Sequence, residues 1–112
     1  MINSFRFAFS GLKEAFKTEK NMRVHFLLAV LAIILAFILN FSALEWAILT
    51  ITIGFVLAME FLNTSLEEIV NIVSPKIQEK ARVAKDVAAA AVFISAAVAV
   101  FEAYFLFLPK IF

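Results

Sequence analysis

The hydrophobic positions of this chain fall into three long runs, from about Val24 to Phe41, from about Leu44 to Val73 and from about Val83 to Leu108. Each approaches or exceeds the roughly 20 residues with which a helix crosses a bilayer core. Unpaired backbone groups are so unfavourable in hydrocarbon that helix is the form open to spans of this length. The pattern predicts three transmembrane helices, spanning about 24–41, 44–73 and 83–108.

Ahead of the first run, Phe5, Phe9, Leu12 and Phe16 recur at spacings of three and four, with Arg6, Lys13, Lys17 and Lys20 largely on the remaining face. That predicts an amphipathic helix over about residues 1–20, lying in the membrane interface. The first two spans are joined by Asn40-Phe41-Ser42-Ala43-Leu44-Glu45-Trp46, a tight hairpin in which Glu45 and Trp46 read as interface anchors. The second and third are joined by SPKIQEKARVAKD, read as the main hydrophilic loop, with Pro75 marking a helix end. No internal repeat or linker divides the chain, so residues 1–112 are expected to form one domain.

Composition agrees with a membrane solvent. Of 112 residues 64% are hydrophobic, only 17% are charged, and the charges cluster in a few short stretches. Cysteine is absent and His25 is the single histidine, which excludes disulfides, thiolate metal sites and an imidazole cluster within one chain. The N-terminal stretch lacks the short apolar core and small-residue cleavage site of a signal peptide. Arg6, Lys13, Lys17, Lys20 and Arg23 precede the first span and Lys76, Lys80, Arg82 and Lys85 follow the second, whereas the first connection has no basic residue. By the positive-inside rule the N-terminus and second loop are expected to be cytoplasmic. A three-helix bundle shields buried polar groups poorly, so a homo-oligomer is expected, with the alanines of VAKDVAAAAVFISAAVAV allowing close approach.

The second span carries EFLNTSLEEIV. An ionisable side chain at membrane depth is unfavourable by about 2.5–3.5 kcal/mol on insertion scales, so several in one helix need partners or a purpose. At about 100° per residue Glu60, Asn63 and Glu67 share a sector of roughly 60°, with Glu60 about 10 Å deeper than Glu67, while Glu68 points off the stripe and reads as a rim residue. A shallow carboxylate can bind Mg²⁺ together with phosphate oxygens. A deeper one can accept the proton of a hydroxyl attacking a phosphoryl group. Glu19, in TEKN, lies at the level of Glu67 and supplies a second carboxylate; Lys76, Lys80 and the pair Lys85-Asp86, read as opening the third helix, lie at the same level. Interhelical hydrogen-bonding glue explains any one of these residues, and a proton-coupled transporter or an assembly factor would also account for a buried glutamate; neither accounts for carboxylates and lysines gathered at one mouth. His25 reads as an interface or head-group contact, and Glu102 as interfacial. There is no Walker-type glycine-rich loop and no soluble-kinase signature, so any phosphoryl transfer must be built on the membrane helices.

EFLNTSLEEIV followed by KARVAKDVAAAAV resembles the prokaryotic diacylglycerol kinase family, small trimeric membrane kinases with three spans and an N-terminal surface helix. The likeness runs from GLKEAFKTEKNMRVHF to the final FLPK, with E-x-x-N-[ST]-x-x-E and A-K-D-x-A-A as its specific signals. TEKNMRVH, ALEW and His25, where the diacylglycerol-specific branch carries a glutamate, resemble the Gram-positive-type branch that phosphorylates undecaprenol. The resemblance implies an all-α homotrimer in the bacterial cytoplasmic membrane that uses ATP and Mg²⁺ to phosphorylate undecaprenol, with diacylglycerol as the alternative acceptor. It implies Glu60 as catalytic base or its orienter, Asn63 as a residue arranging the site, and Glu19 and Glu67 as Mg²⁺ ligands facing ATP. Lys85 and Asp86 would contact the nucleotide, with the loop around Lys76, Ile77 and Gln78 closing over it. One departure is plain: the arginine that the diacylglycerol-specific branch uses near its N-terminus has no counterpart, and Phe7 stands where that branch has a tyrosine, though Arg6 is available as a substitute.

Overall fold

A computed structural model describes residues 2–74, 76 and 78–112. Four helices follow one another: α1 (Ile2–Thr18), α2 (Lys20–Ile38), α3 (Ala43–Val73) and α4 (Glu79–Ile111). The last three are long and apolar enough to cross a membrane. α1 is the amphipathic helix; only Ala15 of it is buried, and Phe5, Phe7 and Phe9 stand exposed, as suits a helix that sinks its rings into an interface.

A single non-helical residue, Glu19, turns the chain from α1 into α2, with extended backbone and a carboxylate that makes no capping bond. The angle is held from the far side. Arg23 Nη1 donates to the carbonyl oxygens of Phe16 at 3.0 Å and Lys17 at 3.1 Å, satisfying orphan acceptors at the end of α1. Phe16 and Phe26 meet edge to face across the same corner, with ring centroids 5.5 Å apart.

Each spanning helix presents a seam at spacings of three and four. On α2 it is Met22, His25, Ala29, Ala32 and Ala36; on α3 it is Leu49, Ile53, Val56, Glu60, Asn63 and Glu67; on α4 it includes Val92, Ser95, Ala99 and Leu106. Small residues on α2 and α4 let the backbones approach closely, which replaces the hydrophobic drive that lipid cannot provide. α3 and α4 pack along most of their length, and α2 leans on α3 more lightly. Most other apolar side chains, among them Leu27, Leu31, Phe37, Phe93 and Phe101, face outward. Hydroxyls at membrane depth are satisfied by bonds to the preceding turn: Thr52 to Ile48 at 2.8 Å, Thr64 to Glu60 at 3.0 Å and Ser95 to Val92 at 2.7 Å.

The apolar core of Ala36, Phe41, Leu49, Leu106 and Phe107 lies at the α2–α3 hairpin. There α2 ends in a Schellman motif, with Asn40 at φ 56, Phe41 N–H donating to Ala36 at 3.1 Å and Asn40 N–H to Phe37 at 3.3 Å. α3 starts in a capping box: Ser42 Oγ accepts from Glu45 N–H at 3.2 Å while Ser42 N–H donates to Glu45 Oε1 at 2.8 Å. Lys110 then reaches Glu45 at 2.9 Å and lies over the Phe41 ring, tying the end of α4 to the hairpin. Glu45, expected as an interface anchor, is thus a capping and clasping residue.

The helix boundaries differ most from the hydropathy reading at two helix starts. α2 starts at Lys20 rather than Val24, since helices run past the hydrocarbon into water. α4 starts at Glu79 rather than Val83, so most of the supposed hydrophilic loop is its first turns, and Lys85-Asp86 lie in the second turn rather than at the start. Arg82 holds these turns together, pairing with Glu79 and, at 2.7 Å, with Asp86. Pro75, expected to end the second span, lies outside the described residues; α3 ends at Val73 just before it.

Ser42→Ala is expected to lower stability by about 1 kcal/mol, the usual loss for an N-cap. Glu45→Ala should lower it further, because it removes both the second half of the box and the partner of Lys110. Unfolding midpoints in detergent micelles check the order, and an equal or reversed order contradicts the clasp.

Candidate functional site

At the end of the bundle nearer α1, the α3 seam turns polar. Glu60 occupies a position equivalent to those of Leu49 and Val56 and is only 2% exposed. Its carbonyl oxygen accepts the Thr64 hydroxyl, but its carboxylate atom Oε2 accepts no hydrogen bond. The nearest cation-forming group is His25 of α2, whose Nε2 stands 3.4 Å from that oxygen. This is a contact too long for a well-formed hydrogen bond. Buried polar atoms are ordinarily paired, so an orphaned carboxylate oxygen on a tightly packed seam marks a place where something else is received.

One turn along, Asn63 Nδ2 donates to Glu67 Oε1 at 3.2 Å, while Asn63 Oδ1 is buried without a partner. The amide therefore fixes one carboxylate and leaves an acceptor aimed into the site. Glu19 and Glu67 both lie close enough to Glu60 for their charges to act on it. Glu60, Asn63 and Glu67 follow one another along α3, and Glu19 stands at the α1–α2 corner. Among the described residues no group of three or more His, Cys, Asp or Glu side chains is placed to hold a metal ion. The carboxylates of Glu19 and Glu67 and the amide oxygen of Asn63 are hard donors, the kind that suit Mg²⁺ shared with phosphate oxygens.

Two cavities border α3, one lined by Phe61 and Thr64 and the other by Val56 and Leu57, rather than by Glu60 itself. A cleft of about 520 Å³ separates α1 from α3, lined by Leu12, Glu14 and Thr18 on one side and by Thr64, Ser65 and Glu68 on the other. A narrower groove of about 300 Å³ runs between α2, α3 and α4, from His25 past Ala29, Leu49 and Val56 to Glu102 and Leu106. Its walls are mostly apolar, interrupted by Thr52, by Glu102 and by the imidazole of His25 beside Glu60. The cleft mixes apolar walls, Ala8, Gly11, Ala15 and Phe61 among them, with its polar side chains, whereas the groove suits a hydrocarbon chain.

The nucleotide-side residues do not join this cluster within one protomer. Asp86 is engaged by Arg82 on the outer surface of α4, Lys85 is half-buried, and Lys76 and Gln78 are exposed; among the described residues none hydrogen-bonds or forms an ion pair with Glu60, Asn63 or Glu67. Ile77 lies outside the described residues. His25 was missed as a site residue, although the signal was present: it shares its spacing with Met22, Ala29, Ala32 and Ala36, which places it on the inward seam. Glu68, set aside as a rim residue, is exposed and lines the cleft beside Glu14. Glu102, read as interfacial, lines the far part of the apolar groove.

The profile of the prokaryotic diacylglycerol kinase family matches residues 6–107. Among similar proteins, a diacylglycerol kinase of Synechocystis sp. is 38% identical over 112 residues, covering 99% of this chain and 64% of that protein. The undecaprenol kinase of Bacillus subtilis is 35% identical over 108 residues, covering 96% of this chain and 88% of that protein. A diacylglycerol kinase of Haemophilus influenzae is 35% identical over 95 residues, covering 85% and 80%. The chain therefore spans just under two thirds of the Synechocystis relative's length and most of the other two.

An orphaned, buried carboxylate is a stability sacrifice. Glu60→Leu is expected to raise the unfolding midpoint in detergent relative to the wild type, because leucine suits the seam on which Leu49 and Val56 already lie. A lowered midpoint would show that Glu60 serves packing.

Proposed function

This chain belongs to the prokaryotic diacylglycerol kinase family, a family of lipid kinases, and we propose that it transfers the γ-phosphoryl group of ATP to the terminal hydroxyl of undecaprenol. The observation that carries the reading is the position of Glu60: a buried carboxylate with an unpartnered oxygen, 3.4 Å from the imidazole of His25, which lines the apolar groove.

The alcohol's chain lies along α2, α3 and α4, and its hydroxyl comes to rest at the His25 end of the groove. Glu60 accepts the hydroxyl proton as the alcohol oxygen attacks the γ-phosphorus; the new O–P bond forms, the bond to the bridging β–γ oxygen breaks, and ADP departs. The protonated Glu60 is reset by loss of that proton before the next turnover. Burial excludes water from the base, which limits wasteful hydrolysis of ATP. Glu19 and Glu67 would hold Mg²⁺, with Asn63 orienting Glu67 by the bond it already makes. When bound, the ion neutralises phosphate charge and supplies electrostatic stabilisation as that charge shifts.

ATP approaches from the cytoplasm, where the positive-inside rule puts α1 and the α3–α4 connection. Lys85, Asp86, Lys76 and Gln78 contact it, and Ile77 belongs to the same loop. Because the described members of this set stand apart from Glu60 in one protomer, the reading includes a homotrimer with sites between subunits. The broad outward apolar faces of the helices support that assembly.

Two observations favour undecaprenol: the similarity to an undecaprenol kinase along nearly the whole chain, and the narrow apolar groove between α2, α3 and α4, which suits a hydrocarbon chain. Diacylglycerol is the second reading, favoured by the Synechocystis relative's name. Glu60→Gln keeps the size of the side chain and removes the base; kcat should fall roughly 10²–10⁴-fold while trimer assembly and nucleotide binding persist. Radiolabelled phosphate transfer and nucleotide titration check this, and near-normal turnover would rule out Glu60 as the base.

A further inference from the structure

The contact between His25 and Glu60 has no part in the mechanism above, yet it joins two helices at the base itself. His25 lies on the α2 seam, one turn after Met22, a fully buried residue that fixes which side of α2 meets α3. Its side chain is 20% exposed, and that exposed part faces the apolar groove. The imidazole therefore stands between the groove and Glu60 Oε2, the carboxylate oxygen with no other partner.

We propose that His25 is a positioning residue for the base: its Nε2–H donates to Glu60 Oε2 when substrate fills the groove, holding the carboxylate so that Oε1 faces the incoming hydroxyl. The inference rests on the lipid-kinase reading of Glu60. The 3.4 Å separation is long for a resting hydrogen bond, and contacts of this kind tighten when the site is loaded. A carboxylate otherwise free to turn about its last torsion would present either oxygen, or neither, to the alcohol. With Oε2 engaged, one proton leaves the hydroxyl for Oε1 and the imidazole keeps its own, so no net charge is added to the groove. The alternatives for the same residue are a head-group contact, which would act on lipid affinity, and a packing element, which would act on stability alone.

The variants separate these roles. His25→Leu removes the donor; kcat should fall about 10–100-fold, as for other outer partners of a reacting group, with little change in the KM of ATP or of the alcohol. His25→Gln keeps an N–H donor at similar reach and should recover most of the lost kcat. Undiminished kcat in His25→Leu, an equal loss in both variants, or a change confined to the alcohol's KM each overturns the role.

His25 is the single histidine, so a second readout needs no activity. With a non-hydrolysable ATP analogue and the alcohol that the protein phosphorylates fastest, the ¹⁵N signal of Nε2 should be that of a protonated nitrogen and should move in Glu60→Ala. The same signal in both proteins overturns the proposal even if His25→Leu fails to assemble. A wild-type protein that phosphorylates no alcohol overturns the kinase reading and this role with it, whereas an active wild type with a fully active His25→Leu overturns the role of His25 alone.

Discussion

The structure turns on the burial of one carboxylate inside a membrane helix. Glu60 takes a position on α3 that the spacing of Leu49 and Val56 assigns to a hydrophobic side chain, and the bundle closes around it to leave 2% of the residue exposed. Holding an ionisable group there is unfavourable, and a span interrupted by acids and an amide is sustained only because the rest of α3 is long and apolar. The arrangement of the remaining helices follows. α2 brings an imidazole to the carboxylate, small residues let α2 and α4 approach it, and α1 folds back over the same end so that Glu19 arrives at the level of Glu67.

The two ends of the bundle divide the work. At the hairpin, every local device is satisfied: a Schellman turn, a capping box, an ion pair from Lys110 and a compact aromatic cluster centred on Phe41. At the opposite end, Glu60 Oε2 and Asn63 Oδ1 lack partners, and Glu19 does not cap its helix. Stability concentrated at one end allows incomplete bonding at the other. That is the distribution expected of a site that receives ligands.

Much of this was legible in the chain. Hydropathy gave the three spans and periodicity gave α1, because both follow directly from what each segment must dissolve in. The stripe of Glu60, Asn63 and Glu67 was legible for the same reason, since helical spacing alone puts them on one face. What escaped was whatever depended on partners. The charged residues from Glu79 to Asp86 looked like loop, but Arg82 bridges its neighbours three and four residues away and keeps them helical. His25 looked like a surface residue because its hydropathy was read without the small-residue seam that aims it inward. Lys85 and Asp86 were placed at the mouth by depth, but depth does not fix azimuth, and in the protomer they stand away from the carboxylates.

The central claim is transfer of phosphate to a membrane alcohol, and labelled transfer onto lipid tests it most directly. Purified protein in mixed micelles would be given γ-labelled ATP, Mg²⁺ and either undecaprenol or diacylglycerol, with the label then followed into the lipid phase. The account predicts label in undecaprenol, in preference to diacylglycerol and dependent on both Mg²⁺ and the alcohol. Label entering neither lipid, in a preparation that binds ATP, would contradict it.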